Sequence, residues 1–447
     1  MRASKAFAWA ALGVLILLWV PDVSHADSID RYIRAEMTNQ RIPGLALAVI
    51  RDGKPVKVAT YGVANVELQV PVTPGTVFRL ASLSKQIIAT GVMLLVADGK
   101  LTLDEPICRF LPQCPQAWEP ITIRQLLSHT SGLPMEAPGN DPFRPESLLA
   151  EIRRAYAVPR LSKPGTHWSY SNLGYGILLQ IIEKLTDRPW SEFFNLRIFA
   201  PLGMKDTRIT SVFDIIPNRA SGYVYRDDKL HNVAPLIAVR PGGTFVSTLA
   251  DMIKWDAAIT HHALLSRALQ QQTWTPVLAD GISTHYGFGW WADEVRGHRR
   301  VRHGGSEPGW RTEYTRFVDD HVDVIVLANG ASIRPDDVAV EVAGHYIPGL
   351  SIERKTVKLG SSVLAAYAGR YELSPADVLK IGVDGPGLSI ESTNPLQGSG
   401  EWRLLPVSSD TFFISPDESY VFVRENGHLV RLEIRYGKTV VTAKRLP

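Results

Sequence analysis

Alternating apolar and polar positions predict strands near both ends of the first 346 residues, with helices between them. Apolar runs at 45–50 and 56–61 flank the turn residues Asp52 and Gly53 and predict an early hairpin. Apolar residues three and four positions apart predict helices over 86–97 and around Ile177 and Ile181. The pattern then favours consecutive antiparallel strands and a covering helix, at 286–291, 301–303, 312–318, 322–328 and 338–346.

The composition of the chain changes after residue 346. Residues 347–362 contain Pro, Gly, Ser and Lys in the manner of a linker. From 363 to 447, short β-rich runs are separated by turn sequences such as Asp384-Gly385 and Asn426-Gly427. This spacing is typical of an antiparallel barrel or sandwich. We therefore expect a main domain over 27–346 and a smaller C-terminal β-domain over 363–447.

The N-terminus has the three parts of an export signal. Arg2 and Lys5 precede an apolar run over 6–20, and the small residues Ser24 and Ala26 form a cleavage site. We predict a signal peptide over 1–26 and a periplasmic or secreted mature protein. An uncleaved anchor is the alternative, although the run is shorter than the ~20 residues of a membrane span. No other stretch suits a span, so we expect no stable membrane span after cleavage.

Composition and charge exclude several classes of protein. The chain has 447 residues, 45% hydrophobic and 21% charged, which is typical of a globular protein. Its net charge is +3 and no block of Lys and Arg stands out, which argues against a nucleic-acid partner. Cys108 and Cys114 can pair in an exported protein. Because His residues at finger-like spacing are missing beside them, we predict no metal site.

The sequence Ser82-Leu83-Ser84-Lys85 carries the first candidate chemistry. Helical residues three positions apart share one face, so Ser82 and Lys85 point into the same space. A serine becomes a nucleophile when a base removes its proton, and a buried lysine that stays neutral can be that base. Taken alone, the motif is better explained as an exposed helix start that uses Ser82 as a cap, with Lys85 as a solvated surface residue.

Two further patches lie far along the chain. Tyr170 and Asn172 stand in a loop that leads directly into a helix, a common place for catalytic groups. His303 begins a glycine-rich stretch at a strand end, where a ligand can approach the backbone closely. His285 precedes its strand and lacks the glycine-rich continuation, so we prefer His303. His129 is better explained as a polar residue at a helix end than as a base.

In chain order, these patches resemble class C β-lactamases and penicillin-binding-protein-like serine hydrolases. The connecting sequences at 126–133 and 242–248 are similar too, and the likeness covers about residues 28–346. It implies an α/β (α+β type) β-lactamase/transpeptidase-like fold, with an antiparallel sheet and an inserted helical domain. The C-terminal part resembles a lipocalin-like barrel, a likeness carried by Tyr367-Ala368-Gly369-Arg370-Tyr371.

The resemblance also implies roles for individual residues. Ser82 would be the acylated nucleophile, and Lys85 and Tyr170 would share the proton transfers, with the identity of the base left open. Asn172 would orient the substrate or Lys85. The third motif would bind substrate, and the backbone N–H groups of Ser82 and Ser306 would form the oxyanion hole. The third-motif residues are His303, Gly304 and Gly305. The resemblance implies no metal or organic cofactor.

The third motif departs from the class C pattern Lys-Thr-Gly. His303 replaces a lysine that helps to bind a substrate carboxylate, a contact worth roughly 1.5–3 kcal/mol. We therefore expect an acyl-enzyme mechanism on small esters, D-amino-acid peptides or amides, or cell-wall fragments. The alternatives are a weak β-lactamase, a D-alanyl-D-alanine carboxypeptidase, or a penicillin-recognising protein without turnover. Arg302 or Arg311 could restore the carboxylate contact.

Overall fold

The computed structural model describes residues 23–446, except 142, 145, 212, 234–242, 353–354, 376, 393–400, 416 and 437–438. The predicted signal peptide lies almost wholly outside the described residues. Its predicted end falls within the first helix, whose side chains are described from residue 28 onward. Within the described part of the chain, no helix is both long and apolar enough to cross a membrane.

Helices and strands both contribute to the main domain, whereas strands form most of the C-terminal part. The helices, in chain order, are α1 (Val23–Gln40), α2 (Ser84–Ala97), α3 (Ile123–Leu127), α4 (Leu148–Ala155), α5 (Asn172–Thr186), α6 (Trp190–Phe194), α7 (Ala200–Leu202), α8 (Leu249–Thr260), α9 (Arg267–Trp274), α10 (Pro335–Ala343) and α11 (Ser361–Ala365). The strands of the main domain are β1 (Gly44–Arg51), β2 (Lys54–Asn65), β3 (Val70–Pro71), β4 (Val77–Arg79), β5 (Arg208–Ile209), β6 (Tyr223–Arg226), β7 (Lys229–Asn232), β8 (Phe245–Thr248), β9 (Leu278–Ala279), β10 (Ile282–Ser283), β11 (Trp291–Val295), β12 (His298–Glu307), β13 (Trp310–Phe317) and β14 (Val322–Ala328). The C-terminal strands are β15 (Gly369–Ser374), β16 (Asp377–Asp384), β17 (Gly387–Ser392), β18 (Trp402–Pro406), β19 (Thr411–Ser415), β20 (Glu418–Glu425), β21 (His428–Tyr436) and β22 (Thr439–Arg445).

A seven-stranded sheet organises the main domain, in the order β11-β12-β13-β14-β1-β2-β3. The early hairpin pairs with the late strands through β1 and β14, with Leu45 opposite Ala328. Helices occupy the chain between the two halves of the sheet. This confirms the expected α+β architecture with an antiparallel sheet and inserted helices.

The apolar run of β1 reflects burial on both faces of the sheet. Ala46 and Ala48 face the core that contains α2, α5 and α8, whereas Leu45 and Leu47 face the layer of α1 and α10. Both sets are fully buried. The sheet is therefore sandwiched between two helical layers, and residues adjacent in β1 belong to different cores.

Two of the expected elements differ from the structure. Residues 286–290 form a buried loop, and β11 begins only at Trp291. Gly289 has a φ of +77° and packs against the carbonyl of Lys85, so the apolar run turns sharply where a strand was expected. The expected helix over 338–346 is α10, which begins with Pro335 at its first turn and ends at Ala343.

The C-terminal strands β15 to β22 form a closed eight-stranded barrel, as expected. Aliphatic and aromatic side chains fill its interior, and the rings of Tyr367 and Phe422 lie 4.4 Å apart. Ion pairs connect the barrel to the α1 and α10 side of the main domain. These pairs include Arg41 with Asp384, Arg296 with Asp417 and Arg334 with Glu418.

A disulfide joins Cys108 and Cys114, the pairing that the sequence left open. The loop that it closes precedes α3. At the start of α3, Thr122 and Gln125 form a reciprocal capping box. These local devices fix the segment that leads to residues 128–136, which border the candidate site.

Candidate active site

Ser82 lies in a short 3₁₀ turn, Ala81–Leu83, that leads directly into α2. Ala81 adopts a φ of +50° and is fully buried, an uncommon conformation for alanine that the surroundings must impose. Those surroundings are two neighbouring strands. The N–H of Leu80 donates to the carbonyl of Phe245 at 2.9 Å, and the hydroxyl of Thr312 donates to the carbonyl of Leu80 at 2.8 Å. The sheets therefore hold the nucleophile turn.

Lys85 follows one helical turn after Ser82, as the spacing predicts. Its Nζ lies 3.2 Å from Ser82 Oγ and donates to Asn172 Oδ1 at 2.7 Å. The side chain is fully buried. Burial lowers the pKa of Lys85 to about 7, against the opposing carboxylates of Glu136 and Glu307. A large fraction of Lys85 is therefore neutral near pH 7 and able to accept the Ser82 proton.

Tyr170 also lies beside Ser82, and Lys85 Nζ is 4.6 Å from the centre of its ring. Burial raises the pKa of Tyr170 well above its usual value, although a hydrogen bond with Ser82 acts in the opposite direction. The phenol therefore keeps its proton at neutral pH and can donate it. Ser171 caps α5 by accepting from the N–H of Gly174 at 3.0 Å, which fixes the loop that carries Tyr170.

Asn172 is the first residue of α5 and connects Lys85 with a carboxylate that the sequence did not reveal. Its Nδ2 donates to Glu136 Oε1 at 2.7 Å. The Met135 carbonyl accepts the N–H groups of Asn172 and Leu173, and so brings residues 135 and 136 to the helix start. No regular spacing links Glu136 with Asn172, so sequence patterns could not have found this contact.

His303 lies in β12, almost fully buried, and close enough to Lys85 for the lysine charge to affect it. Burial, followed by that positive charge, lowers the pKa of His303 to about 3. The neutral ring lies with Nδ1 2.7 Å from the Gly304 carbonyl and Nε2 2.9 Å from the Tyr286 hydroxyl. Nδ1 therefore donates, and Nε2 accepts. The competing His285 is exposed.

Gly304 and Gly305 lie inside β12, not at a strand end. A Cβ on Gly305 would be 2.1 Å from the Leu80 carbonyl oxygen and 2.2 Å from Thr312 Oγ1. Glycine is therefore required for β12 to run beside the nucleophile turn. Ser306 follows and is exposed. The oxyanion-hole role of the Ser82 and Ser306 N–H groups stays a prediction.

The geometry argues against a contact of Arg302 or Arg311 with a substrate carboxylate. Side chains alternate between the faces of a strand, and the register pairs Gly304 with Glu313 and Ser306 with Arg311. Both arginines therefore lie on the α10 face, opposite the face of His303. Arg302 forms ion pairs with Asp293 and Asp336 there, at 3.1 and 3.5 Å.

His129 is fully buried beside the Tyr170 loop, and its Nδ1 accepts from the N–H of Ser171 at 3.1 Å. This arrangement agrees with a structural role and not with that of a base for Ser82. The structure thus brings Ser82, Lys85, Tyr170 and Asn172 into direct contact, and places His303 beside them.

Comparison with known proteins adds to this geometry. The sequence model of the Beta-lactamase family matches residues 29–344. The chain is 28% identical to penicillin-binding protein 4* of Bacillus subtilis, over 79% of this chain and 84% of that protein. It is 29% identical to a D-aminopeptidase of Brucella ovis over 68% of this chain, but only 59% of that enzyme. The chain thus spans less than two thirds of the latter relative.

Among solved structures, the octameric penicillin-binding protein homologue from Pyrococcus abyssi superimposes with a TM-score of 0.67. The superposition covers 94% of this chain and all of that chain, at 22% identity, which shows a shared fold. The family match extends over most of the chain and includes every motif residue. The chain therefore belongs to the Beta-lactamase family of serine hydrolases.

Proposed function

We propose that the protein is an exported hydrolase that cleaves D-amino-acid amides or short peptides with a free amino group, through an acyl-enzyme on Ser82. The observation that carries this proposal is the contact chain from Ser82 through Lys85 and Asn172 to the carboxylate of Glu136. It combines an activated nucleophile with a negative charge in one site. The similarity to a D-aminopeptidase supports the substrate class.

The reaction would proceed in two halves. Ser82 Oγ attacks the amide carbonyl while its proton moves to neutral Lys85 Nζ, and the backbone N–H groups of Ser82 and Ser306 bind the oxyanion. Tyr170 then donates its proton to the leaving nitrogen, the C–N bond breaks, and Lys85 returns a proton to Tyr170. Water attacks the resulting ester and releases the acid, with the same groups acting in reverse.

Charge near Ser82 favours amines over carboxylates as substrate groups. The Glu136 carboxylate is half-buried and lies near enough to Lys85 to affect its charge state. His303 is neutral, and Arg302 and Arg311 lie on the far side of the sheet. A substrate ammonium group would therefore be attracted, whereas the free carboxylate of a carboxypeptidase substrate or a penicillin would be repelled.

Export is supported by two observations. The first 26 residues have the basic, apolar and small-residue parts of a signal peptide. The Cys108–Cys114 disulfide is of a kind that persists in oxidising compartments. We propose that the mature enzyme acts in the periplasm or outside the cell, where cell-wall fragments containing D-residues would be one source of substrate.

Matched substrates test the proposal. D-alanine p-nitroanilide, its N-acetyl derivative and its L-enantiomer would be assayed with wild type, Ser82→Ala and Glu136→Gln. We expect wild type to prefer the free D-amine, Ser82→Ala to be inactive, and Glu136→Gln to raise KM for the free amine about tenfold. The KM for the acetylated substrate should not change with Glu136→Gln, because that substrate carries no ammonium group.

Intact-mass measurements with a fluorophosphonate and a penicillin separate the alternatives. A Ser82-dependent fluorophosphonate adduct together with anilide turnover would support the proposal. A long-lived penicillin adduct without turnover of any anilide would instead indicate a penicillin-recognising protein. Faster cleavage of the acetylated substrate than of the free amine would overturn the role given to Glu136.

A further inference from the structure

His129 makes hydrogen bonds on both sides of Tyr170. Its backbone carbonyl accepts from the N–H of Ser169 at 2.8 Å, and its Nδ1 accepts from the N–H of Ser171 at 3.1 Å. Its own backbone adopts a φ of +59°, which lets one residue present both groups to the same loop. The neighbours of Tyr170 are therefore held by a single side chain and its carbonyl.

The ring of His129 also contacts Tyr170 directly. The two ring centres are 4.3 Å apart, with an angle of 35° between the planes. Behind it, the His129 ring packs on Tyr175 and Tyr286, with centres 5.1 and 4.8 Å away. The hydroxyl of Tyr286 binds His303 in the third motif. The His129 ring thus fills the space between Tyr170 and the residues that support His303.

The bond from Ser171 requires an unprotonated Nδ1. Burial, followed by the positive charge of Lys85, lowers the pKa of His129 well below its usual value. The ring therefore stays neutral near pH 7, and Nδ1 remains an acceptor. A hydrocarbon side chain of the same size would fill the space but would leave the Ser171 N–H without this partner.

We infer that His129 is a positioning residue that holds the Tyr170 hydroxyl against Ser82. This inference rests on the proposed role of Tyr170 in proton transfer. A catalytic group displaced by about 1 Å can lose up to about 100-fold in rate. Because His129 binds the neighbours of Tyr170 and packs on its ring, its effect on catalysis passes through Tyr170.

A double-mutant cycle with Tyr170→Phe tests the inference on the full-length mature protein. His129→Phe keeps an aromatic ring but removes the acceptor, whereas His129→Asn keeps an oxygen close to the position of Nδ1. With D-alanine p-nitroanilide, whose leaving nitrogen must receive a proton, we expect His129→Phe to lower kcat by about tenfold to 100-fold and His129→Asn by less. In the Tyr170→Phe background, His129→Phe should change kcat less than twofold, because the Tyr170 hydroxyl that His129 positions is already absent.

A purely structural role would give a different result. His129→Phe would then lower kcat by the same factor in both backgrounds, which would overturn the inference, as would wild-type kcat in His129→Phe. If His129→Phe does not fold, His129→Asn is used in the same cycle. An equal loss of kcat in the wild-type and Tyr170→Phe backgrounds would again overturn the inference. Tyr371→Phe removes a comparable buried hydrogen bond in the barrel and serves as the control for lost stability.

The outcomes also separate this inference from the proposed function. If Tyr170→Phe and Ser82→Ala both kept wild-type turnover, the proposed function would fail whatever His129 does. If these two variants lost activity while the cycle proved additive, the proposed function would stand and only the role of His129 would be rejected.

Discussion

The pKa of Lys85 predicts how ester turnover depends on pH. The lysine must be neutral to accept the Ser82 proton, and its pKa is about 7. For a neutral ester, kcat/KM should therefore be half-maximal near pH 7 and fall about tenfold for each pH unit below that. This fall in kcat/KM at low pH is the acid limb of the pH profile. The high pKa of Tyr170 means that the tyrosine does not contribute to it.

Glu136 sets the position of the acid limb. Its negative charge stabilises protonated Lys85 and so raises the lysine pKa. Asn172 bridges the two groups, and charges about 6 Å apart interact by roughly 3 kcal/mol at an effective dielectric constant of about 20. Because Glu136 is half-buried, solvent screening reduces this energy to about 1–2 kcal/mol, equivalent to about one pH unit.

Glu136→Gln is the perturbation that isolates this charge. The glutamine oxygen can still accept from Asn172 Nδ2, so the local geometry is kept. The acid limb should move to lower pH by about one unit, and at pH 6 the variant should exceed wild type about fivefold in kcat/KM. The assay is kcat/KM for p-nitrophenyl acetate from pH 5 to 9.

Glu105→Gln is the matched control for this assay. Glu105→Gln removes a carboxylate that pairs with Arg109 and does not act on Lys85, so its limb should coincide with that of wild type. An unchanged limb in Glu136→Gln, or one that moves to higher pH, would show that Glu136 does not stabilise protonated Lys85. The assignment of the limb to Lys85 would then be rejected.

Three further predictions concern the framework of the site. Gly305→Ala would place a Cβ against the backbone of Leu80 and should lower ester kcat/KM more than about 100-fold. Gly304→Ala crowds the Glu313 side chain and no backbone atom closer than 3.4 Å, so its effect in the same assay should be milder. Reduction of the Cys108–Cys114 disulfide should lower the free energy of unfolding by about 2 kcal/mol in urea titrations, with kcat unchanged. Asp384→Asn leaves two arginines without their shared carboxylate, and calorimetry should show an earlier, separate unfolding transition of the barrel while ester turnover persists.

The sequence predicted contacts that depend on local geometry. The helical period alone brings Lys85 to Ser82, and the structure places Nζ 3.2 Å from Oγ. The contribution of Tyr170 and His303 could not be derived from spacing, because the pairing of distant strands and loops decides it. Only the resemblance to a known family linked these three motifs before the structure did.

Where the sequence analysis and the structure differ, the difference has a physical cause. The run at 286–291 reads as a strand because a buried loop is as apolar as a buried strand. Arg302 is adjacent to His303 in the chain, but strand alternation places it on the opposite face of the sheet. Glu136 was missed because a backbone carbonyl of Met135, which has no sequence signature, brings it to Asn172.

The pairing of β1 with β14 has a consequence for the order in which the protein folds. β1 is apolar on both faces, and its second hydrogen-bonding edge stays open until residues 322–328 have been made. Closing so long a loop is entropically costly and slow, and an exposed apolar strand edge invites aggregation. An emerging chain therefore cannot assemble the sheet, or the strands that hold the Ser82 turn, until most of it has been synthesised. A chain truncated before β14 should accordingly be both insoluble and inactive, which makes ester turnover a direct measure of complete folding.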